Sequence, residues 1–189
     1  MLSDRFFFPL SILLAIAMVG LALVPAWGRL PDGPVSGGGK NYQKIIVDGV
    51  DLNRVRSPGR DDHALVREGE RTWLVVNGAT EELGRANDGP YIPLAADIEK
   101  QFGGREIQIS VRARASAPAT SAVMELNYEA DAEHTSGWIV FSLGDTYQTQ
   151  AFTFTPPPPS DALGLDFLGI RGLGAAAIEI DQIVFERQS

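Results

Sequence analysis

Hydrophobic and polar positions alternate with a period of two over much of this chain, and that alternation predicts its strands. Glu106–Arg114 reads EIQISVRAR, with Ile107, Ile109, Val111 and Ala113 on one side and Gln108, Ser110, Arg112 and Arg114 on the other. Ala122–Glu129 repeats the pattern: Ala122, Met124, Leu126 and Tyr128 point inward, Glu125, Asn127 and Glu129 outward. Lys44–Val50 and Thr72–Asn77 are short β-branched, apolar runs, the second closed by the turn signal Asn77-Gly78. Thr149–Thr155 sets Phe152 and Phe154 against three threonines. Gly137–Leu143 is apolar at both parities, which predicts a strand covered on both faces, and Leu163–Ile170 and Ala177–Glu186 complete the series. One short helix is expected, over Ala95–Gln101 ahead of Gly103-Gly104. Seven or eight short strands between Gly and Pro turns predict an all-β sandwich or barrel. Pro156–Pro159 has no amide donor, so it reads as a stiff polyproline-II crossing from one sheet to the other.

The N-terminus follows a different pattern. Phe6–Trp27 carries no charge, and as a helix residues 6–24 would reach roughly 28 Å, close to the ~30 Å of a hydrocarbon core. Arg5 precedes the run, which orients a single-pass helix with the remainder of the chain on the exported side of an inner membrane, the periplasm. Trp27 stands where an interfacial anchor would. The alternative is a signal peptide cut near Ala26, because Val24-Pro25-Ala26 fits a signal-peptidase site. The expected layout is a transmembrane or signal helix over 1–27, a flexible Gly/Pro linker over 28–41, and a β-sandwich over 42–189.

Composition narrows the chemistry. The 189 residues include no cysteine, which excludes disulfides, thiolate metal sites and thiol nucleophiles. Sixteen Lys and Arg against twenty-four Asp and Glu leave a net charge of −8, which argues against a nucleic-acid partner. His63 and His134 lie in polar segments read as loops, and no nucleophile elbow, phosphate loop or dinucleotide fingerprint occurs. An enzyme is therefore not expected. Saccharide binding needs flat aromatic faces beside planar hydrogen-bonding groups. Trp73, Tyr91, Trp138 and Tyr147 are the candidate platforms, and Arg112 and Asn127 the candidate polar groups. The outward row Arg112, Arg114 is expected beside Glu125, Asn127, Glu129 on the next strand. Trp73 and Trp138 read equally as core residues, and the charged rows as ordinary cross-strand pairs. The acidic residues Glu125, Glu129, Asp131 and Glu133, together with Asp181, offer the hard oxygen ligands that suit calcium, although no loop has EF-hand spacing.

Several segments occur in a familiar order: GPYIPL (89–94), GREIQISVRAR (104–114), SGW (136–138), YQTQAFTF (147–154) and IEIDQI (178–183). Over residues 42–187 this resembles the jelly rolls of carbohydrate-binding modules, the galactose-binding-domain-like fold. The resemblance implies a saccharide ligand. It also implies a structural calcium held by the last-strand Asp181 with an acidic residue near the first strand, Asp48. Two functions follow. One is a membrane-tethered, exported module that binds a saccharide or envelope polysaccharide through Trp73, Tyr91, Arg112, Asn127, Trp138 and Tyr147. The other is a non-catalytic accessory subunit of an inner-membrane complex, with Ala15, Ala17, Gly20 and Ala22 permitting close helix contact in the span.

Overall fold

The computed structural model describes residues 4–23, 29–39, 41–59, 62–79, 84–117, 121–159 and 164–188. The chain divides into two units, Met1–Leu30 and Pro31–Ser189. The first unit is a helix, α1 (Asp4–Leu23), whose side chains are described from Phe8 to Leu21, every one of them exposed. Among the described residues no helix is long and apolar enough to cross a membrane. The cleavage motif Val24-Pro25-Ala26 and Trp27 lie outside the described residues.

The second unit is a β-sandwich. Its strands in chain order are β1 (Lys44–Asp48), β2 (His63–Glu68), β3 (Arg71–Val76), β4 (Gly78–Ala79), β5 (Tyr91–Leu94), β6 (Ile107–Ala115), β7 (Ala122–Glu129), β8 (Ile139–Leu143), β9 (Gln148–Phe154), β10 (Asp166–Leu173) and β11 (Ile178–Arg187). A 3-10 turn (Gly49–Arg54) follows β1, and α2 (Ala96–Phe102) follows β5. Among the described residues these form a six-stranded sheet, ordered β2-β3-β11-β6-β9 with β1 also on β11, and a five-stranded sheet, ordered β4-β10-β7-β8 with β5 also on β10. The alternation read in β6 and β7 is what builds the core. Ile107, Ile109, Val111 and Ala113 from one sheet, and Met124, Leu126 and Tyr128 from the other, are all fully buried. A slip of one residue would turn each set toward water, so the apolar pattern sets the register.

Connections between the sheets account for several departures from the sequence reading. Asn77-Gly78 is not a hairpin turn. The chain continues from β3 into β4, which pairs parallel with β10 in the other sheet. Gly78 makes the crossing possible, because a Cβ there would fall 2.1 Å from the Gly174 carbonyl oxygen. Pro156–Pro159 carries the chain from β9 in one sheet to β10 in the other, and the Gly104 amide donates to the Pro156 carbonyl at 2.9 Å. β8 is an edge strand with Val140 58% exposed, so it is not covered on both faces. His63 opens β2 instead of lying in a loop.

The Gly/Pro stretch expected as a flexible linker is bonded to the sandwich along residues 31–39. Val35 is buried, donates its amide to the Pro93 carbonyl and accepts from the Ala95 amide, both at 2.8 Å. Asp97 Oδ2 accepts from Ser36 Oγ (2.9 Å), the Gly37 amide (3.0 Å) and the Tyr42 hydroxyl (3.0 Å). Single anchoring residues on either side, Val35 and Asp97, outweigh the conformational freedom of the glycines between them.

Candidate functional site

The last strand creates the most distinctive surface. β11 pairs with β3 through Ile178–Ile180 and, further along the same edge, with β1 through Gln182–Glu186. On its other edge it pairs with β6, whose register shifts between Ile180 and Gln182. Asp181 sits in that bulge, where the neighbouring strand changes, and a bulge re-aims the side chain it carries. There the outer face of the six-stranded sheet holds a cleft of about 290 Å³ lined by Trp73, Arg112 and Tyr147 with Asp48, Asp181 and Gln182. Arg71 and Glu70 add one charge of each sign to its walls.

The contacts in the cleft are specific. Arg71 lies over the Trp73 ring at 5.9 Å, and Arg112 and Arg114 lie 5.3 and 4.8 Å from the Tyr147 ring. Arg114 donates through Nε to Glu179 Oε2 at 2.8 Å, and the Tyr147 hydroxyl reaches the same oxygen at 3.3 Å. The Glu179 bond raises the Arg114 pKa, while burial and then the Glu179 charge raise that of Tyr147. Arg112 faces Asp181 at 3.4 Å, and Gln182 donates to Asp48 at 3.3 Å. Burial raises the Asp181 carboxyl above its ordinary value, against the lowering effect of Arg112. Trp73 Nε1 and Asp181 Oδ1 are buried without a hydrogen-bond partner. Guanidinium, amide and indole donors thus alternate with carboxylate acceptors around two aromatic rings, a pattern suited to a hydroxyl-rich ligand.

The remaining expected site residues lie elsewhere. Tyr91 packs edge-on to Phe167 (5.4 Å) and lines a separate cavity of about 760 Å³ with Arg56, Ser57, His63 and Asn87. Asn127 and Trp138 belong to the opposite outer face. Because β6 and β7 lie in different sheets, the row Arg112, Arg114 and the row Glu125, Asn127, Glu129 point away from each other on the two sides of the sandwich. The second row is buried instead of solvated. Glu125 binds Arg171, whose guanidinium sits 4.6 Å over Trp138. Asn127 accepts from Thr135 at 2.6 Å, and Glu129 binds Arg85 and the Ala86 amide. The segment carrying Ala86 lies directly on β10, where a Cβ at Gly169 would meet the Ala86 carbonyl oxygen at 2.5 Å.

The calcium expectation does not fit this donor set. Glu125 and Glu129 are bound to arginines, and Asp131 binds the Glu133 and His134 amides of its own loop. Asp48 and Asp181 do share the cleft, but each faces a donor, Gln182 or Arg112. Among the described residues no group of three or more His, Cys, Asp or Glu side chains could hold a metal ion, and calcium takes about six to eight oxygens. Arg71 and Gln182 are cleft residues that the sequence reading passed over. Gln182 had a detectable signal: inward positions run Ile178, Ile180 and then Ile183, Phe185, a slip of parity at 181–182 that marks the bulge.

No protein-family model matches the chain, and no curated protein matches it in sequence. Solved structures do. One is the N-terminal endo-1,4-beta-D-xylanase 10B of Clostridium thermocellum, its CBM22-1 and GH10 modules complexed with xylohexaose. It is 15% identical with a TM-score of 0.54, over 79% of this chain and 29% of that one. Another is the CBM22-1 xylan-binding domain of Paenibacillus barcinonensis Xyn10C, 14% identical with a TM-score of 0.51, over 76% of this chain and 92% of the domain. A third is the CBM22-1–CBM22-2 tandem of the same Xyn10C, 14% identical with a TM-score of 0.52, over 79% of this chain and 47% of the tandem. At these identities the likeness establishes the fold: a jelly roll of the kind found in carbohydrate-binding modules.

Proposed function

We propose that the sandwich is a non-catalytic saccharide-binding module whose binding surface is the cleft on the six-stranded sheet, and that α1 tethers it to a membrane. The observation that carries the binding reading is the convergence of Trp73, Arg112, Tyr147 and Asp181 on one cleft, drawn from β3, β6, β11 and the residue ahead of β9. The fold shared with a xylan-binding domain supports it. Binding here is reversible hydrogen bonding of sugar hydroxyls to guanidinium, amide and carboxylate groups against aromatic surface. No bond-making is required.

The tether reading rests on α1. Its large apolar side chains, among them Phe8, Leu13, Ile16 and Leu21, are 59–71% exposed. Apolar surface of this extent in water carries a cost of roughly 25 cal/mol per Å², which lipid removes. In this reading residues 6–24 span the inner membrane, residues 28–41 lead out of it, and the body over 42–189 faces the periplasm.

The test uses the full chain in detergent, titrated calorimetrically with xylohexaose and with cellohexaose. Saturable binding to either, abolished by Arg112→Ala, is expected. Heats of dilution alone with both would overturn the saccharide reading. For the tether, membranes are washed at alkaline pH and the retained chain is sequenced from its N-terminus. An intact N-terminus in the pellet is expected. A soluble chain beginning near Trp27 would replace the anchor with a cleaved signal.

A further inference from the structure

Within this cleft, one donor and one acceptor are left unused. The pairing of β11 with β3 ends at Ile180 and Leu74, both buried, and the next positions, Asp181 and Trp73, turn to the outer face. Both line the cleft. Trp73 Nε1 can only donate, and a carboxylate oxygen can only accept. Both atoms are buried and neither has a partner, a combination that proteins seldom leave unsatisfied. Asp181 Oδ2 is the oxygen that faces Arg112, so Oδ1 is the one that remains.

The ring faces tell a complementary story. Stacking a sugar on Trp73 or Tyr147 needs an open face, but Arg71 covers the indole, and Arg112 and Arg114 both sit over the phenol ring. Arg71 is exposed and Arg112 is 49% exposed, so these side chains can yield to a ligand. The hydrogen-bonding groups beneath them are what such a ligand would meet.

We infer that the cleft reads one ligand hydroxyl through Trp73 Nε1–H and Asp181 Oδ1, using the indole as a hydrogen-bond donor in place of a stacking platform, and that its excess of carboxylates selects neutral polyhydroxyl chains over uronic-acid chains. This rests on the saccharide-binding reading. A hydroxyl oxygen accepts from the indole while its proton goes to the carboxylate, so a single group satisfies both atoms. A ring oxygen or a carboxylate only accepts and would set its lone pairs against Asp181. The cleft charges agree: Asp48, Glu70 and Asp181 outnumber Arg71 and Arg112.

The test is made on the full chain in detergent with xylohexaose as the probe. Trp73→Phe keeps an aromatic ring and removes the N–H, and it should weaken binding about tenfold, as should Asp181→Asn. In the unsubstituted chain labelled with ¹⁵N-tryptophan, the Trp73 indole proton should shift downfield on titration, a readout independent of whether either variant folds. Hexagalacturonate should bind at least about tenfold more weakly than xylohexaose. The inference is overturned if Trp73→Phe binds within twofold of the parent, if the indole resonance is unmoved at saturation, or if hexagalacturonate binds as tightly. If the parent chain binds neither xylohexaose nor cellohexaose, the saccharide reading falls and this inference falls with it. If the parent binds and the indole is silent, only the inference falls.

Discussion

Asp166→Asn should stabilise the sandwich at neutral pH and leave it nearly unchanged in acid. Asp166 is 3% exposed, and its Oδ2 accepts from the Tyr128 hydroxyl at 2.5 Å, with Tyr128 itself fully buried. Burial pushes its carboxyl from the ordinary 3.8 up to about 6, with Glu99 and Asp131 adding to the rise and the Tyr128 bond opposing it. A carboxyl whose pKa is raised on folding favours the folded state only while it is protonated. That contribution is complete below 3.8 and is lost as the pH rises through about 6. At roughly 1.4 kcal/mol for each pH unit between 3.8 and about 6, the folded state at pH 8 carries about 3 kcal/mol of ionisation cost. Asparagine keeps an acceptor for Tyr128 and carries no charge. The stability difference between variant and parent should therefore grow from near zero at pH 3.5 to about 3 kcal/mol at pH 8. Urea unfolding followed by tryptophan fluorescence at closely spaced pH values measures it. Groups that do not interact with Asp166 contribute equally to both proteins and cancel in the difference. A difference that stays flat from pH 3.5 to pH 8 would refute the reasoning, since only the ionisation of Asp166 separates the two chains.

Three further outcomes follow from the packing. Glu125→Ala strands the buried Arg171 guanidinium against Trp138 and should cost about 3–5 kcal/mol in urea unfolding, whereas a loss below 1 kcal/mol would mean that Arg171 finds water. Gly169→Ala drives a Cβ into the Ala86 carbonyl, so the segment around Arg85 should lift and become the first site of tryptic cleavage; an unchanged digestion pattern would show that β10 bends instead. Asp97→Ala removes the shared acceptor of Ser36, Gly37 and Tyr42. Amide exchange at Gly37 and Gly38 should accelerate, and the Tyr42 hydroxyl, whose pKa is raised by burial and then by Asp97, should titrate lower; a Tyr42 titration unmoved by the change would contradict the assignment.

The inward sides of β6 and β7 were legible because apolar residues at alternate positions allow only one burial pattern. β11 was legible to a finer grain, since its slip of parity at Asp181-Gln182 locates the bulge that shapes the cleft. Sequence could not tell which sheet each strand joins. A strand's outward residues look the same whether they meet water or a covering segment, so Glu125, Asn127 and Glu129 read as solvated although Arg85, Ala86 and Thr135 bury them. Nor could periodicity pair Arg112 with Asp181 and Trp73, which depends on β11 lying between β3 and β6. β2 and β5 were missed for local reasons: HALVRE mixes polar and apolar residues without alternation, and YIPL is four residues long with a proline inside. Nor does composition show the bonds, distant in sequence, that join Val35 to Pro93 and Ala95 and that join Ser36 and Gly37 to Asp97.

The position of β11 also governs when the sandwich can form. It comes after every other strand among the described residues, yet β1, β3 and β6 all bond to it, and Lys44 finds its partner only at Glu186. Until residues 178–187 have left the ribosome the six-stranded sheet has no centre, and β1 and β3 have no shared neighbour. Such long-range closure is slow, and the six-stranded sheet waits for β11. A stop codon shortly before residue 178 would therefore leave the six-stranded sheet in pieces.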